Sequence, residues 1–340
     1  MNEKRAQAKR VTITDVAKAA GVSKTTVSRF ISGDVKSLAE DTYKRIAETI
    51  QALNYQPSKL ARGLKGRHSF LIGVVLADIT NPYSTAILRG AEDACHKHGY
   101  NLLVCNTDND PSKERDYILM LQSHQIDGLI INTTGQNNAL LHAMKADHLP
   151  IVLVDREVLN FDADVVTVNN RQAAKDATEF LIRRGYKRIA YVTQPVQGVS
   201  TRTERATAFA QAIQAAGLAT GQDVLEVDGD AQVHLAIRDF LESSTPGPKA
   251  LFAGNAVVLL QVILELRSHG IDVPGEIGIL GFDNPEWAEI ARLTTLAQPT
   301  YQIGVQATER LLMRLEGKDQ PYQHIHLPVK MVERASTPAV

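Results

Sequence analysis

The 340-residue sequence lacks the features that define several protein classes. Only two cysteines occur, Cys95 and Cys105, which is too few for a disulfide framework, so we expect two buried thiols in a reducing compartment. The most apolar stretch, FLIGVVLADI, is too short to cross a bilayer. The amino-terminal stretch MNEKRAQAKRVTITDVAKAA has charges without an apolar segment behind them, so we expect no signal peptide and a cytoplasmic location.

Sequence motifs of common enzyme classes are also missing. The sequence contains neither a GxxxxGK[ST] phosphate loop, nor GxGxxG after the first apolar run, nor GxSxG. The pairs His96/His98 and His324/His326 are not accompanied by acidic or cysteine clusters at metal-ligand spacing, so they are interpreted as surface histidines. We therefore expect no enzymatic activity, no cofactor and no metal site.

Charge is distributed unevenly along the chain. Residues 1–68 contain 14 Lys and Arg against 6 Asp and Glu, a formal charge of +8, whereas the remainder contains 23 against 32, a formal charge of −9. A basic segment attached to an acidic body is typical of a polyanion-binding module joined to a domain with another task. The length itself predicts two or three domains.

The basic segment contains three short helical patterns. Thr14 is the expected N-cap of DVAKAA, which stops before Gly21, and Ser23 is the expected N-cap of the next helix. The turn A-G-V-S between these helices has the spacing of a helix-turn-helix. The stretch DTYKRIAETIQALNY predicts a third amphipathic helix.

The second of these helices, within VSKTTVSRFI, has two different faces. At 100° per residue, four hydrogen-bond donors share an arc of about 140°, in which the helix sequence has no acidic residue: Lys24, Thr25, Ser28 and Arg29. Val27 and Phe30 lie on the opposite side, where they would pack. A solvated surface helix is the alternative interpretation of this segment.

From residue 70 the pattern changes to alternating strands and helices. The strand-like runs are FLIGVVLA, YNLLVCN, DGLIIN, PIVLVD, RIAYVT, KALFA and EIGILGF. Continuous apolar strands separated by amphipathic helices predict parallel sheets covered on both faces. The strands before Arg156 and those after Arg171 form two doubly wound units, and a ligand cleft is expected between the carboxyl ends of their strands.

The chain resembles the lactose-repressor (LacI) family of bacterial transcription regulators over nearly its whole length. The motifs that carry the resemblance are VTITDVAKAAGVSKTTVSRFISG, LNYQPSKLARGLKGRHSFLIGVV, NPYSTAILRGAED, DGLIINTT, VLVDR, ERATAF, ILGFDN and LTTLAQP. Within the family, DITNPYS, LLVCNTD, INTTG and FDNPEWAE look most like the regulators of gluconate and ketogluconate metabolism.

The resemblance implies an α/β fold in which an N-terminal helix-turn-helix DNA-binding domain precedes a core like that of periplasmic binding proteins. This core consists of two doubly wound parallel-sheet subdomains. The implied boundaries are a helix-turn-helix domain at 1–57, a hinge helix or linker at 58–68, and a ligand-binding and dimerisation domain at 69–340. Within the last, the N-subdomain covers about 69–169 and 299–326, and the C-subdomain covers about 170–298 and 327–340.

The second helix of this family lies in the major groove of DNA. The resemblance places Lys24, Thr25 and Arg29 at base-reading positions, where Arg29 would form a bidentate contact with a guanine edge. Three hydroxyl side chains are better suited to phosphate oxygens, which orient the protein without specifying sequence: Thr12, Thr26 and Ser28.

The basic linker matches the family's hinge helix. The resemblance places Ser58, Ala61 and Leu64 in the minor groove, with Leu64 as a wedge between the central base pairs of a deformable step. A plain spacer is the alternative interpretation of this segment.

The resemblance also places ten residues at an effector cleft, most of them directly after an apolar strand: Tyr83, Asn132, Thr133, Asp155, Arg156, Thr201, Arg205, Asn255, Phe282 and Asp283. An Arg in a cleft clamps a carboxylate or polyol, and an Asp accepts from two hydroxyls. The cations Arg156 and Arg205 therefore favour a sugar acid of the gluconate or ketogluconate type. An ion pair between Arg156 and a neighbouring acid is the alternative, and Trp287, the only tryptophan, either borders the cleft or packs internally.

The mechanism implied is a ligand-gated DNA switch. A homodimer would bind pseudo-palindromic operator DNA as a repressor, and a small effector would change its operator affinity by closing the cleft. The sign of the effector's action stays open, and a tetramer helix like that of the lactose repressor is not expected. The alternatives are a cytoplasmic regulator of a neutral sugar and a stand-alone sugar-binding protein.

Overall fold

The chain divides into two compact units, residues 1–70 and residues 71–340. The computed structural model describes residues 11–31, 38–55, 68–221, 223–243, 246–318 and 320–340. Within these ranges no helix combines the length and apolar character needed to span a membrane. The hinge residues predicted from the sequence, Ser58, Ala61 and Leu64, lie outside the described residues, and their role stays a prediction.

The described part of the first unit contains three helices: α1 (Ile13–Ala19), α2 (Lys24–Ile31) and α3 (Glu40–Ala52). Their apolar faces meet in a small core of Val16, Ala17, Ala20, Val27 and Ile46. The arrangement of α1 and α2 around a short turn confirms the predicted helix-turn-helix.

The sequence predicts a specific N-cap residue for each of the helices α1 and α2, and the structure tests both predictions. The prediction that Thr14 caps α1 is wrong, because Thr12 is the N-cap and forms a reciprocal capping box with Asp15. Sequence patterning places helix ends only to within a residue or two. The predicted cap of α2 is confirmed, since the Thr26 backbone N–H donates to Ser23 Oγ over 3.1 Å.

The second unit contains two six-stranded sheets of the same topology. The first has the strand order β11-β5-β4-β3-β1-β2 and the second the order β12-β10-β9-β8-β6-β7, and every pairing is parallel except β10 with β12. The strands are β1 (Leu71–Leu76), β2 (Asn101–Asn106), β3 (Gly128–Ile131), β4 (Ile151–Val154), β5 (Asp164–Val168), β6 (Arg188–Thr193), β7 (Val224–Glu226), β8 (Lys249–Ala253), β9 (Ile277–Phe282), β10 (Thr294–Ala297), β11 (His324–Leu327) and β12 (Lys330–Val332).

Helices cover both faces of the sheets, as the buried central strands require. They are α4 (Pro82–Lys97), α5 (Pro111–Ser123), α6 (Asn138–Ala146), α7 (Asn170–Arg183), α8 (Ser200–Ala215), α9 (Asp230–Glu242), α10 (Ala256–Ser268), α11 (Glu286–Ile290) and α12 (Thr300–Leu315). The chain passes between the sheets three times, after β5, after β10 and after β11. Two doubly wound subdomains confirm the predicted α/β fold class.

Helices α4 and α12 cross at unusually short range. A Cβ on Gly304 would lie 2.0 Å from the Ile87 carbonyl oxygen, and one on Gly90 would lie 2.0 Å from the Tyr301 carbonyl oxygen. Backbone therefore packs directly on backbone, and each glycine supplies the space that the other helix occupies. Packing, and not backbone conformation, therefore requires glycine at these two positions, because neither residue has a positive φ.

We expect Gly304→Ala to lower the free energy of unfolding by about 1–3 kcal/mol, because the added methyl overpacks the crossing. Helix propensity alone predicts the opposite sign, since Ala is favoured over Gly by about 1 kcal/mol inside a helix. Denaturant unfolding of this variant beside Gln302→Ala, an exposed change in the same helix, separates the two effects. Stabilisation by Gly304→Ala would contradict the close crossing.

Candidate functional site

The polar face of α2 has the residues that the sequence reading assigned to it. Lys24, Thr25 and Arg29 are exposed, while Val27 is buried against α1 and α3. Thr26 is half-buried, and its hydroxyl lies 2.8 Å from Ser23 Oγ. The helix therefore presents two cations and a hydroxyl outward from a fixed core.

Two other DNA-contact candidates are placed differently. The Thr12 hydroxyl donates to Asp15 Oδ2 over 2.7 Å as part of the α1 cap, so it already has a structural task. Ser28 is half-buried on α2. Their phosphate contacts stay predictions.

In the second unit, two aspartates occupy equivalent places in the two sheets. Asp155 follows β4 and Asp283 follows β9, and these strands hold the same position in the two strand orders. Both residues are buried and have a positive φ, 65° and 72°. Non-glycine residues held in this region cost free energy and concentrate at binding sites. Both aspartates line one cavity at the carboxyl ends of the two sheets.

Asp155 is anchored by residues of its own subdomain. The Tyr83 hydroxyl donates to its Oδ1 over 3.1 Å, and Asn132 Nδ2 lies 3.5 Å from its Oδ2. Burial, together with the Asp155 carboxylate, raises the pKa of Tyr83 well above its usual value. Tyr83 therefore remains a neutral donor at any physiological pH.

Asp283 is held from two sides of the second subdomain. Its Oδ2 accepts from the Ala256 backbone N–H over 3.0 Å, and its Oδ1 accepts from Gln298 Nε2 over 2.6 Å. Burial raises the pKa of Asp283, and the nearby Arg205 together with these hydrogen bonds opposes that rise. The carboxylate is thereby fixed facing the cleft.

Arg205 on α8 is the most constrained cation of the cleft. Its Nε donates to Asn170 Oδ1 over 2.7 Å and its Nη1 to the Gly254 carbonyl over 2.8 Å. The guanidinium carbon lies 3.6 Å from the centre of the Phe282 ring, a cation–π contact. Phe282 is fully buried, so it acts as a platform beneath the cation and does not line the cavity.

Arg156 and Arg202 lie on opposite sides of the cleft. Arg156 donates to the Thr133 carbonyl over 3.0 Å and to Asn109 Oδ1 over 2.7 Å. Arg202 donates to the Pro195 carbonyl and to Gln194 Oε1. Burial is the main cause that lowers the pKa of Arg202 to about 10, with a contribution from the positive charge of Arg156.

All three guanidinium groups are thus positioned by neutral oxygens. Among the described residues, none of them hydrogen-bonds to a carboxylate; the nearest ion pair is Arg156 Nε to Asp155 Oδ2 at 3.9 Å. The third acid of the cavity, Asp78, is turned to the backbone and hydroxyl of Thr80. The cations therefore retain capacity for an anion.

Three buried polar atoms at the cleft have no hydrogen-bond partner among the described residues: Asn132 Oδ1, Arg156 Nε and Gln298 Oε1. Leaving such atoms unpaired costs free energy, so they indicate where a ligand is expected. Two are acceptors that suit hydroxyl groups, and the third is a charged donor that suits an anionic oxygen. The three atoms together match a molecule that carries both hydroxyl groups and an anionic oxygen.

Eight of the ten predicted ligand residues line the cavity: Tyr83, Asn132, Asp155, Arg156, Thr201, Arg205, Asn255 and Asp283. The Oδ1 of Asn255 already has a structural role, because it caps α10 by accepting from the Val258 backbone N–H over 2.9 Å. Two residues do not line it. Phe282 lies beneath Arg205, and the Thr133 side chain turns away to Glu114.

Several cavity residues were missed by the sequence reading: Asn109, Arg202 and Gln298. Arg202 stands one helical turn before Arg205 on α8, so the 3.6-residue period would have found it. Gln298 follows β10, a strand that the sequence reading did not assign. Trp287 lines a neighbouring pocket together with Tyr83 and Asp283, and it packs against the core of the second subdomain.

Buried Glu114 organises the loop behind Arg156. Its carboxylate accepts from the Thr134 backbone N–H over 2.6 Å, from both hydroxyls of Thr133 and Thr134, and from Asn137 Nδ2. Four donors converge on one acceptor group, which offsets the cost of burying its charge. Because the Thr133 carbonyl in turn accepts from Arg156, Glu114 positions that cation indirectly.

Family models match both units of the chain. Residues 12–58 match bacterial regulatory proteins of the lacI family, and residues 69–334 match the periplasmic binding proteins and sugar binding domain of the LacI family. A helix-turn-helix joined to a two-subdomain small-molecule core defines a DNA-binding transcriptional regulator. The match at the helix-turn-helix excludes the stand-alone sugar-binding protein.

Relatives of known class cover nearly the whole chain. The chain is 45% identical to the HTH-type transcriptional regulator PtxS of Pseudomonas aeruginosa, with 96% of each chain covered. It is 40% identical to the HTH-type transcriptional regulator KdgR of Bacillus subtilis, with 96% of this chain and 97% of the relative covered. The chain belongs to the LacI family of bacterial transcription regulators.

Solved structures show the same fold. A lac repressor dimer bound to operator matches with a TM-score of 0.84 at 22% identity, covering 97% of this chain and all of that chain. A complex of the transcriptional regulator CelR with cellobiose matches with a TM-score of 0.70 at 24% identity, covering 96% of this chain and all of that chain. At these identities the likeness concerns the fold.

We expect Glu114→Gln to lower the free energy of unfolding by about 1–3 kcal/mol, because the new amide NH₂ faces donors and leaves a buried group unpaired. Chemical denaturation measures the change. Glu92→Gln, an exposed change on α4, is the control and should leave stability nearly unchanged. Equal stability of the two variants would contradict the organising role of Glu114.

Proposed function

We propose that this regulator is a homodimeric repressor whose operator affinity is set by a sugar acid of the gluconate or ketogluconate class. The single observation that carries the ligand class is the set of three guanidinium groups held by neutral oxygens at one cavity. Arg156 comes from the first subdomain, and Arg202 and Arg205 from the second. A carboxylate between them would receive charge-assisted hydrogen bonds from both sides.

The uncharged part of the ligand is a polyol chain. Asn132 Oδ1 and Gln298 Oε1 are buried acceptors in need of donors, and Asp155 and Asp283 each accept from further hydroxyls. Sugar hydroxyls supply such donors at short spacing. A neutral sugar is the second candidate, since it would satisfy the acceptors and leave the three cations without an anion.

The DNA half of the proposal depends on α2. Lys24, Thr25 and Arg29 are exposed on one face of a helix whose other face is buried, which is the arrangement of a recognition helix in the major groove. Arg29 reads guanine and Thr12, Thr26 and Ser28 approach phosphates. In a dimer, two such helices read the halves of a pseudo-palindromic operator, with the hinge residues Ser58, Ala61 and Leu64 in the minor groove between them.

The effector acts through its preference for one state of the cleft. In the present state the subdomains touch across it, since the Glu157 backbone N–H donates to Ser200 Oγ over 3.0 Å. A ligand that contacts both subdomains favours this closed state. The effector changes operator affinity only if the closed and open states differ in their binding free energy for the effector and also in their binding free energy for the operator.

The effector class is tested by thermal unfolding of the full chain against gluconate, 2-ketogluconate, their neutral parent sugars and purines. A ligand that binds only the native state raises the midpoint by mass action. We expect a shift with the sugar acids alone. A shift with a neutral sugar alone would overturn the ligand class and leave the regulator intact.

The role of the cations is tested with Arg202→Gln, for which we expect about ten- to a hundredfold weaker binding of the sugar acid, since a charge-assisted hydrogen bond contributes about 1.5–3 kcal/mol. Arg171→Gln, an exposed cation change on α7, is the matched control. Fluorescence of the single tryptophan, Trp287, reports binding because it lines a pocket shared with Tyr83 and Asp283. Equal affinities in the two variants would remove Arg202 from the site.

DNA recognition is tested with Arg29→Ala. We expect this variant to lose its preference for operator over unrelated DNA, by about 1–3 kcal/mol for the base contact removed, while effector binding is retained. Electrophoretic mobility shift with operator and scrambled duplexes measures the ratio. Lys18→Ala on α1, another cationic helix residue, serves as control for the loss of charge alone. An unchanged ratio in Arg29→Ala would refute the recognition-helix assignment.

A further inference from the structure

Three metal-ligating side chains converge on the outer face of the second subdomain, between α9 and α10. Glu265 and His269 stand four residues apart on α10 and its C-cap, and His234 faces them from α9. The ligand atoms of the three residues all lie within 4.8 Å of one another. Neither the cleft nor the DNA-binding helix uses them.

The distances match those between ligands of one metal ion. His234 Nδ1 lies 2.7 Å from Glu265 Oε1, and His269 Nδ1 lies 3.1 Å from the same oxygen. Imidazole nitrogens and carboxylate oxygens bind Zn²⁺ at about 2.0–2.2 Å, so two ligands on a tetrahedral or octahedral ion lie about 3 Å apart. Each imidazole nitrogen is therefore already at coordinating separation from the carboxylate oxygen, and all three ligand atoms lie within 4.8 Å of one another.

The surroundings prearrange this cluster. Glu265 is the least exposed of the three side chains at 17%, against 45% for His234 and 44% for His269, so the carboxylate is the fixed member and the imidazoles approach it from solvent. A second bridge between the helices, Gln261 Nε2 to Asp230 Oδ1 at 2.9 Å, holds α9 beside α10. The two helices that carry the ligands are thus held together before an ion binds.

We propose that His234, Glu265 and His269 form a binding site for a late first-row divalent cation, with Zn²⁺ as its representative. Two imidazoles and one carboxylate provide three ligands, and water completes the coordination. The nitrogen ligands exclude Mg²⁺ and Ca²⁺, which prefer oxygen. The ion would join the C-terminal end of α10 to α9 on the outside of the subdomain.

A local structural role is the competing explanation for His269. Its Nδ1 also lies 3.0 Å from the Glu265 carbonyl and 3.1 Å from Ser268 Oγ. His124 at the end of α5 repeats this arrangement, with Nδ1 at 2.8 Å from the Met120 carbonyl and 3.3 Å from Ser123 Oγ. The residue four positions before His124 is Met120, whereas the residue four positions before His269 is Glu265. His124 is therefore a matched histidine that lacks the carboxylate of the cluster.

The test is isothermal titration of the untagged full chain with ZnCl₂. We expect saturable binding of one ion that is at least tenfold weaker in His234→Ala and in His269→Ala, and unchanged in His124→Ala. Binding should weaken as the pH falls, because the imidazoles must lose protons to coordinate. The visible absorption of bound Co²⁺ in the wild type, and its loss in Glu265→Gln, gives an independent readout.

Three results would overturn the site. They are absence of binding by the wild type, equal affinity in the His234→Ala and wild-type proteins, and equal weakening in His124→Ala and His269→Ala. All the substituted histidines are at least partly exposed, so thermal unfolding without metal should show folded variants. Failure of this site leaves the proposed regulator and its effector untouched.

Discussion

The cleft depends on three guanidinium groups that neutral oxygens hold in place, with Arg156 and Arg205 buried and Arg202 half-buried. Arg156, Arg202 and Arg205 are each fixed by carbonyl or amide oxygens, and a direct carboxylate hydrogen bond to any of them is missing from the described residues. Carboxylate partners would have neutralised these cations within the protein and left nothing for a ligand. Positioning by neutral groups instead leaves the charge available. The Glu114 loop behind Arg156 and the Phe282 ring beneath Arg205 both contribute to this arrangement.

Much of the fold was predictable because hydrophobic patterning and strand burial are local properties. All seven strand runs identified in the sequence are strands of the structure, and their alternation with helices predicted the two parallel sheets correctly. Two of the strands that were missed, β7 and β12, lie at sheet edges and have three residues each, which carry too little pattern to detect. The buried five-residue strand β5 was missed as well. The α4–α12 crossing was also invisible, since Gly90 and Gly304 meet only after folding.

The site was predictable where a residue directly follows a strand, as at Asp155 and Asp283, because parallel sheets bring strand ends to one edge. Side-chain direction was not predictable in the same way. Thr133 follows β3 yet turns to Glu114, since a buried carboxylate with four donors outweighs a solvent-facing alternative. The metal-ligating cluster was missed because His234 and Glu265 are 31 residues apart. Spacing reveals ligand pairs within one helix, not those joined by packing.

The charges of the cleft also account for how an effector would gate it. Arg156 and Arg202 belong to different subdomains, and their mutual repulsion is among the causes that lower the pKa of Arg202. Closure without a ligand therefore brings two like charges together, which is unfavourable. When an anion lies between them, both cations are attracted to it and closure becomes favourable. Arg205 is connected to the first segment in which the chain passes between the two subdomains, after β5. It donates to Asn170, and Asn170 begins the helix directly after that segment. A neutral sugar fills the space without removing the repulsion, so an anion gains binding energy from closure that a neutral sugar does not.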